Sequence, residues 1–129
     1  MSFLGLLAVG GGAAVGAWLR WWLGVALNPV FPTLPFGTLA ANLLGGFLMG
    51  ISLAIISHFE TLPAEVRLLI TTGFLGGLTT FSTFSAEATT LLARLQTGWA
   101  AIHVGVHVIG SILMTFAGIA ATRMILARV

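Results

Sequence analysis

The sequence predicts an all-α integral membrane protein with four transmembrane helices per subunit, and three observations carry that prediction. Of its 129 residues, 58% are hydrophobic and only 6% charged, against about 25% charged in a soluble domain. Apolar runs near the roughly 20 residues that a bilayer crossing needs alternate with short polar turns along the whole chain. Cysteine is absent, so neither a disulfide framework nor thiolate chemistry competes as an explanation. Residues 1–129 read as one transmembrane domain.

The first span covers about residues 3–27 and carries Arg20 near its far end. Met1 to Leu7 lacks a basic leading region, so no cleaved signal peptide is expected. Pro29, Pro32 and Pro35 punctuate the following loop, because proline cannot donate to a helix ladder. The second span covers about 36–57, and the turn after it holds Glu60 and Glu65. A third span, about 66–95, is too long for one straight crossing. Gln96, Thr97 and Gly98 are expected to form a short turn before the fourth span, about 99–126.

Within the third span lies an unusual block running from Gly73 to Ser85, rich in glycine, threonine and serine. Gly76 and Gly77 each disfavour helix by about 1 kcal/mol relative to alanine. A break there would free the carbonyls around Gly76 to Thr79. Irregular backbone at membrane depth is tolerated only where protein buries it or where it lines a cavity. The block therefore marks a place that handles an ion or a polar solute, or else a close helix crossing.

Four spans put both termini on one side of the membrane. Arg67, Arg123 and Arg128 fall on that side, Arg20 and Arg94 on the other. Arginine bias sets orientation, and so small a bias leaves open both a single orientation and a dual topology. The scattered arginines form no nucleic-acid footprint. Small residues recur four apart at Gly12 and Gly16, Ala41 and Gly45, Gly46 and Gly50, and Gly73 and Gly77. Such faces let helices approach closely, within a chain or between two. Four helices alone enclose little room for a pathway, so a solute route points to a second subunit, most simply in a C2 dimer.

Several side chains are candidates for chemistry. Phe81 and Phe84 share a helix face with Thr80 and Thr83 beside them. Ring edges carry the positive end of the aromatic quadrupole and offer weak contacts to an anion. Asn42 and Thr38, four apart in the second span, form a polar track that serves either as interhelical glue or as donors. Arg20 and Glu87 are the deepest charges and are read as vestibule groups that snorkel or pair. His103 and His107 lie four apart, with Ser111 four further on. Two histidines bind zinc only with further ligands, and few carboxylates are in reach, so a polar stripe facing a vestibule is the expectation. No nucleophile–base–orienter set can be assembled, and no enzyme is expected.

These blocks resemble the small bacterial fluoride channels called Fluc or CrcB. The resemblance rests on Gly16-Ala17-Trp18-Leu19-Arg20, on Gly37 to Gly45 including Asn42, and on Gly73 to Glu87. It implies passive fluoride export through the bacterial inner membrane. It implies an antiparallel, dual-topology homodimer with two pores and a central structural sodium ion held by backbone carbonyls of Gly76 and Thr79. Phe81, Phe84 and Asn42 match the family's pore residues, with Thr38, Thr80, Thr83 and Ser111 as further donors. Arg20 matches the first-span arginine. His103 and His107 depart from the family's hydroxyl-bearing fourth-span track. Two rivals remain at this point: a proton-coupled exporter using Glu87, and a non-transporting scaffold.

Overall fold

Helix ends are where a backbone most needs partners, because the first N–H groups have none inside the helix. Ser2 meets that need at the first helix, its Oγ accepting the Gly5 N–H at 3.0 Å. The computed structural model describes residues 2–128. From the Ser2 cap, α1 (Phe3–Leu27) runs into a 3-10 turn at Asn28–Val30. Asn28 then turns its Oδ1 to the N–H groups of Gly37 (2.8 Å) and Thr38 (3.2 Å). The loop asparagine thus caps α2 (Phe36–His58), which Pro35 precedes without a side-chain cap of its own. After α2, Arg67 ties the loop down by donating to the carbonyls of Glu60 (2.6 Å) and Leu62 (3.1 Å).

The third span is built in pieces. It begins as α3 (Ala64–Leu68), widens into a π-helical stretch over Leu69–Leu75, and tightens again in α4 (Gly76–Leu78). Thr79 (φ −82°, ψ 154°) and Thr80 (φ −148°, ψ 115°) are extended. Thr80 Oγ1 then accepts the Thr83 N–H at 3.1 Å and starts α5 (Phe81–Ala93). The expected unwinding at Gly76 and Gly77 thus falls two residues later, at the threonines. The reason is that Gly77 is spent on packing: a Cβ there would collide with the Ala13 carbonyl of α1 and lie 2.9 Å from Ala13 Cα.

The expected turn at residues 96–98 also shifts. The chain reverses at Arg94–Gln96, where Leu95 is left-handed (φ 59°) and the Gln96 N–H reaches back to the Leu91 carbonyl at 2.9 Å. Thr97 and Gly98 already belong to α6 (Thr97–Leu126).

Two helix pairs organise the subunit: α1 lies along the π stretch and α4, and α2 lies along α6. In the second pair, a Cβ at Gly50 would strike the Thr115 carbonyl, and one at Gly118 would strike the Phe47 carbonyl. The Gly12–Gly16 and Gly46–Gly50 stripes therefore serve packing within the chain. A small core of Ala41, Leu75 and Leu78 sits where the two pairs meet, flanked by Leu19, Leu23, Leu48, Met49 and Phe74. Outside it, Trp18, Trp21 and Trp22 stay exposed on α1, and Ile109, Leu113 and Phe116 on α6. Among the described residues, four helical segments are long and apolar enough to cross a membrane, the interrupted run Ala64–Ala93 being one of them.

Candidate functional site

The interruption of the third span takes the usual donors from several carbonyls, those of Gly76, Gly77 and Thr79 among them. In an uninterrupted α-helix each N–H serves the carbonyl four residues back. Here the Thr80 N–H turns to Asn42 Oδ1 (2.8 Å) rather than to Gly76, and the Thr83 N–H to Thr80 Oγ1 rather than to Thr79. Extended Thr80 likewise moves the Phe81 N–H out of register with Gly77. The Gly77 carbonyl finds another donor in the Arg20 guanidinium, whose Nε lies 3.0 Å away. Arg20 therefore supports the break and does not pair with Glu87.

Asn42 clamps the far side of the interruption. Its Nδ2 donates to the Thr80 carbonyl at 3.1 Å while its Oδ1 accepts the Thr80 N–H. The same Nδ2 lies 3.1 Å from His107 Nδ1 on α6. One α2 side chain thus joins the third and fourth spans, and both amide hydrogens are engaged.

Below the clamp, α5 and α6 pack around Phe84. That ring is buried, stacked on His103 (centroids 5.3 Å apart, planes at 17°) and tilted against His107 (4.9 Å). Phe81, one turn earlier, lies 5.3 Å from Phe84 yet is 76% exposed on the subunit surface. The shared face that the spacing predicts thus holds two phenylalanines in opposite settings.

Glu87 completes a polar seam. Its Oε1 accepts the Thr38 hydroxyl at 2.6 Å, and its Oε2 lies 3.5 Å from His103 Nε2. His103 Nε2 also lies 3.4 Å from the Phe84 carbonyl. Both histidines are buried, His103 almost completely. The expected open vestibule at His103 is instead a packed junction, because the imidazole stacks on Phe84 and is closed in by Glu87.

Three concavities surround this seam. One of about 370 Å³ is lined by Asn42, Thr80, Phe81, Phe84, His107 and Ser111, among others. A second, about 290 Å³, opens beside the proline loop and is lined by Thr83, Glu87 and Arg94. A third, also about 290 Å³, holds Arg20 with Thr38, Thr80 and Thr83. The Thr80 hydroxyl donates to Thr83 Oγ1 at 3.0 Å, which leaves the Thr83 hydroxyl hydrogen for the concavities it borders.

The first cavity thus gathers Asn42, Thr80, Phe81, Phe84 and Ser111 from three spans. Thr38 faces Glu87 and Arg20 instead, a turn away from Asn42. Sequence reasoning did not anticipate the cluster of Glu87, His103 and His107, in which one ligand atom from each lies within 4.8 Å of the others. The signal for Glu87 was its place three residues after Phe84, but nothing in spacing ties it to a helix that starts ten residues later.

Residues 7–119 match the family model described as "CrcB-like protein, Camphor Resistance (CrcB)". A chain named "Fluoride-specific ion channel FluC" from Aromatoleum aromaticum is 64% identical over 115 residues, covering 89% of this chain and 88% of that one. A namesake from Nitrosospira multiformis is 58% identical, covering 92% and 93%. Another, from Cupriavidus taiwanensis, is 53% identical, covering 97% and 99%. Four spanning helices and these matches along nearly the whole length make this chain a multi-pass membrane protein that belongs to the CrcB family.

Proposed function

We propose that the protein is a fluoride-selective channel giving passive export of the anion across the bacterial inner membrane. The observation that carries this is the 64% identity, over 89% of the chain, to a protein named as a fluoride-specific ion channel. The site's chemistry supports it. Fluoride is small and strongly hydrated, so a route must replace water with donors. The first cavity and its neighbours supply the Ser111 and Thr83 hydroxyls together with the ring edges of Phe81 and Phe84. Among the described residues, that cavity is lined by no arginine or lysine, which favours release as well as entry. Arg20, bonded to the Gly77 carbonyl beside Thr80 and Thr83, supplies positive potential at its edge. A negative-inside potential then drives the anion outward at ~2.3 kcal/mol per charge per 100 mV.

The working unit in this reading is an antiparallel, dual-topology homodimer with two pores. Two observations support it. The arginine distribution gives almost no orientation bias, and Phe81 borders the cavity from the open surface of the subunit, where a second copy would wall it. The third span's interruption lies at membrane depth on this account. The donor set fits a central structural sodium. Gly76 and Thr79 have lost the N–H partners that a continuous helix supplies, and unwound carbonyls are a recurrent way to hold a small cation. When bound, the ion would tie the two copies together at these carbonyls, while Phe81 and Phe84 face the anion routes beside it.

Fluoride efflux from liposomes carrying the purified protein, read with a fluoride electrode and run against chloride, tests the reading. Rapid fluoride release without chloride release is expected. Protein-independent release would overturn it.

A further inference from the structure

Glu87, His103 and His107 offer one ligand atom each, and those atoms lie within 4.8 Å of one another. They come from two elements: Glu87 from α5, and the two histidines, one turn apart, from α6. The donor set is incompletely paired. Glu87 Oε1 takes the Thr38 hydroxyl, but Oε2 is buried with no hydrogen-bond partner among the described residues. His107 Nε2 shares that condition. His103 Nε2 lies 3.5 Å from Glu87 Oε2 and 3.4 Å from the Phe84 carbonyl, both beyond the roughly 2.7–3.2 Å of an N–H···O bond. Unpaired buried polar atoms are expensive, and each calls for an explanation.

A metal ion accounts for the spacing. Zinc binds imidazole nitrogen and carboxylate oxygen at about 2.0–2.2 Å, which sets two tetrahedral ligands about 3.3–3.5 Å apart. The Glu87–His103 separation of 3.5 Å falls there. Two histidines and one glutamate are a recurrent zinc set, with a fourth position left for water. Cysteine is absent, so these donors face no competing thiolate. The ion also relieves the cost of burying Oε2 without a partner. Glu87 provides the way in, since its side chain is 16% exposed and lines the concavity beside the proline loop. Spacing along the chain put no carboxylate beside the two histidines; the fold does, with Thr38 holding its other oxygen.

Asn42 sets the terms on which His107 joins. The Thr80 N–H on Oδ1 and the Thr80 carbonyl on Nδ2 fix the orientation of the amide. Its second N–H therefore points at His107 Nδ1, 3.1 Å away. A neutral ring that accepts there carries its own hydrogen on Nε2. Zinc needs the Nε2 lone pair, so binding shifts that hydrogen to Nδ1 by exchange with water, with no net release of a proton. The new Nδ1–H then opposes the Asn42 N–H. The metal and the Asn42–His107 link exclude each other.

We propose that Glu87, His103 and His107 form a site for zinc or a similar divalent transition-metal ion, whose binding releases α6 from the Asn42 clamp. The release takes place at the wall of the cavity that His107 shares with Phe84 and Ser111. A bound ion is therefore an inhibitor of fluoride flux, and this consequence alone rests on the channel reading.

The test is titration of the chelator-treated full chain, in lipid vesicles, with cobalt(II) chloride and then zinc chloride. One cobalt per subunit is expected, with the intense visible absorption of a tetrahedral site, displaced by zinc. Glu87→Gln and His103→Gln should each weaken zinc binding by at least about a hundredfold, beyond what a change outside the ligand shell costs. His58→Gln, at the exposed end of α2, should leave binding unchanged. Asn42→Asp, which gives the His107 Nδ1–H an acceptor, should tighten it about tenfold. No saturable cobalt site, an octahedral spectrum, or binding that survives Glu87→Gln but is lost in His58→Gln would overturn the site. An affinity unmoved by Asn42→Asp would overturn the competition with the clamp. The cobalt spectrum is taken on the unmodified chain, so it decides the site even where a variant fails to fold. Zinc should also slow fluoride efflux from liposomes, saturably and reversibly with a chelator. A tetrahedral cobalt site with efflux unaffected overturns the inhibition alone. Metal-free protein that passes no fluoride overturns the channel reading and leaves the site standing.

Discussion

The third span is held by opposite means on the two sides of its interruption. Before the break, from Leu69 to Leu78, it is held mainly by shape: Gly73 and Gly77 let its backbone lie directly against α1, and Arg20 on the Gly77 carbonyl adds one polar link. After the break, from Phe81 onward, it is held by polar side chains reaching from other helices. These are Asn42 on the Thr80 backbone, Thr38 on Glu87, and His103 beside Glu87 and the Phe84 carbonyl. Backbone-on-backbone packing gives a rigid base but no chemistry. Polar links leave concavities between helices, and those concavities are where an anion can be handled.

The contrast can be broken most severely on the glycine side. Gly77→Val puts a branched side chain into the Ala13 carbonyl. It should cost more than the about 1–3 kcal/mol typical of an overpacked core, because backbone cannot step aside. Loss of monodisperse protein on size exclusion is the expected outcome, and a normally folded variant would contradict the packing account. Next comes Asn42→Leu, which strands the Thr80 N–H and carbonyl at about 1–3 kcal/mol each. A large drop in thermal unfolding temperature in detergent should follow, and a shift of a degree or less would mean that water replaces the clamp.

Smaller effects should separate the two phenylalanines. Phe84→Ile removes a buried ring from between two imidazoles and should cost more than the about 0.5–1.5 kcal/mol of a single-methylene deletion, while abolishing fluoride efflux. Phe81→Ile, at a residue 76% exposed in the subunit, should leave the unfolding temperature of the subunit nearly unchanged and still sharply slow efflux. Equal stability losses would erase the distinction between the two sites. Unchanged efflux in either variant would remove that ring from the pore. Thr38→Val, which deletes one hydrogen bond to Glu87, should cost about 0.5–1.5 kcal/mol, read as a modest drop in unfolding temperature.

The spans themselves were legible, since hydrophobic length and proline loops carry that information locally. The extended residues Thr79 and Thr80 were not, because helix propensity weighs Gly76 and Gly77 as breakers, whereas packing uses Gly77 as a contact surface. The helix start at Thr80, with its side chain on the Thr83 N–H, is the local signal that marks the true site. The seam was illegible for a different reason. Thr38 and Glu87 meet across 49 positions, and Asn42 and His107 across 65, and no periodicity within one helix records such a meeting. Burial of His103 follows from the same long-range contacts, so a histidine pair at helical spacing could be read as a vestibule stripe.

The central claim is that this folded subunit serves a fluoride pathway beside the interrupted helix. The most direct measurement compares unmodified protein with Phe84→Ile in the same liposome preparation, recording fluoride and chloride efflux side by side. The account predicts fast fluoride release and negligible chloride release from the unmodified protein, with fluoride release lost in the variant. Equal release of both anions, or fluoride release that survives the substitution, would contradict it.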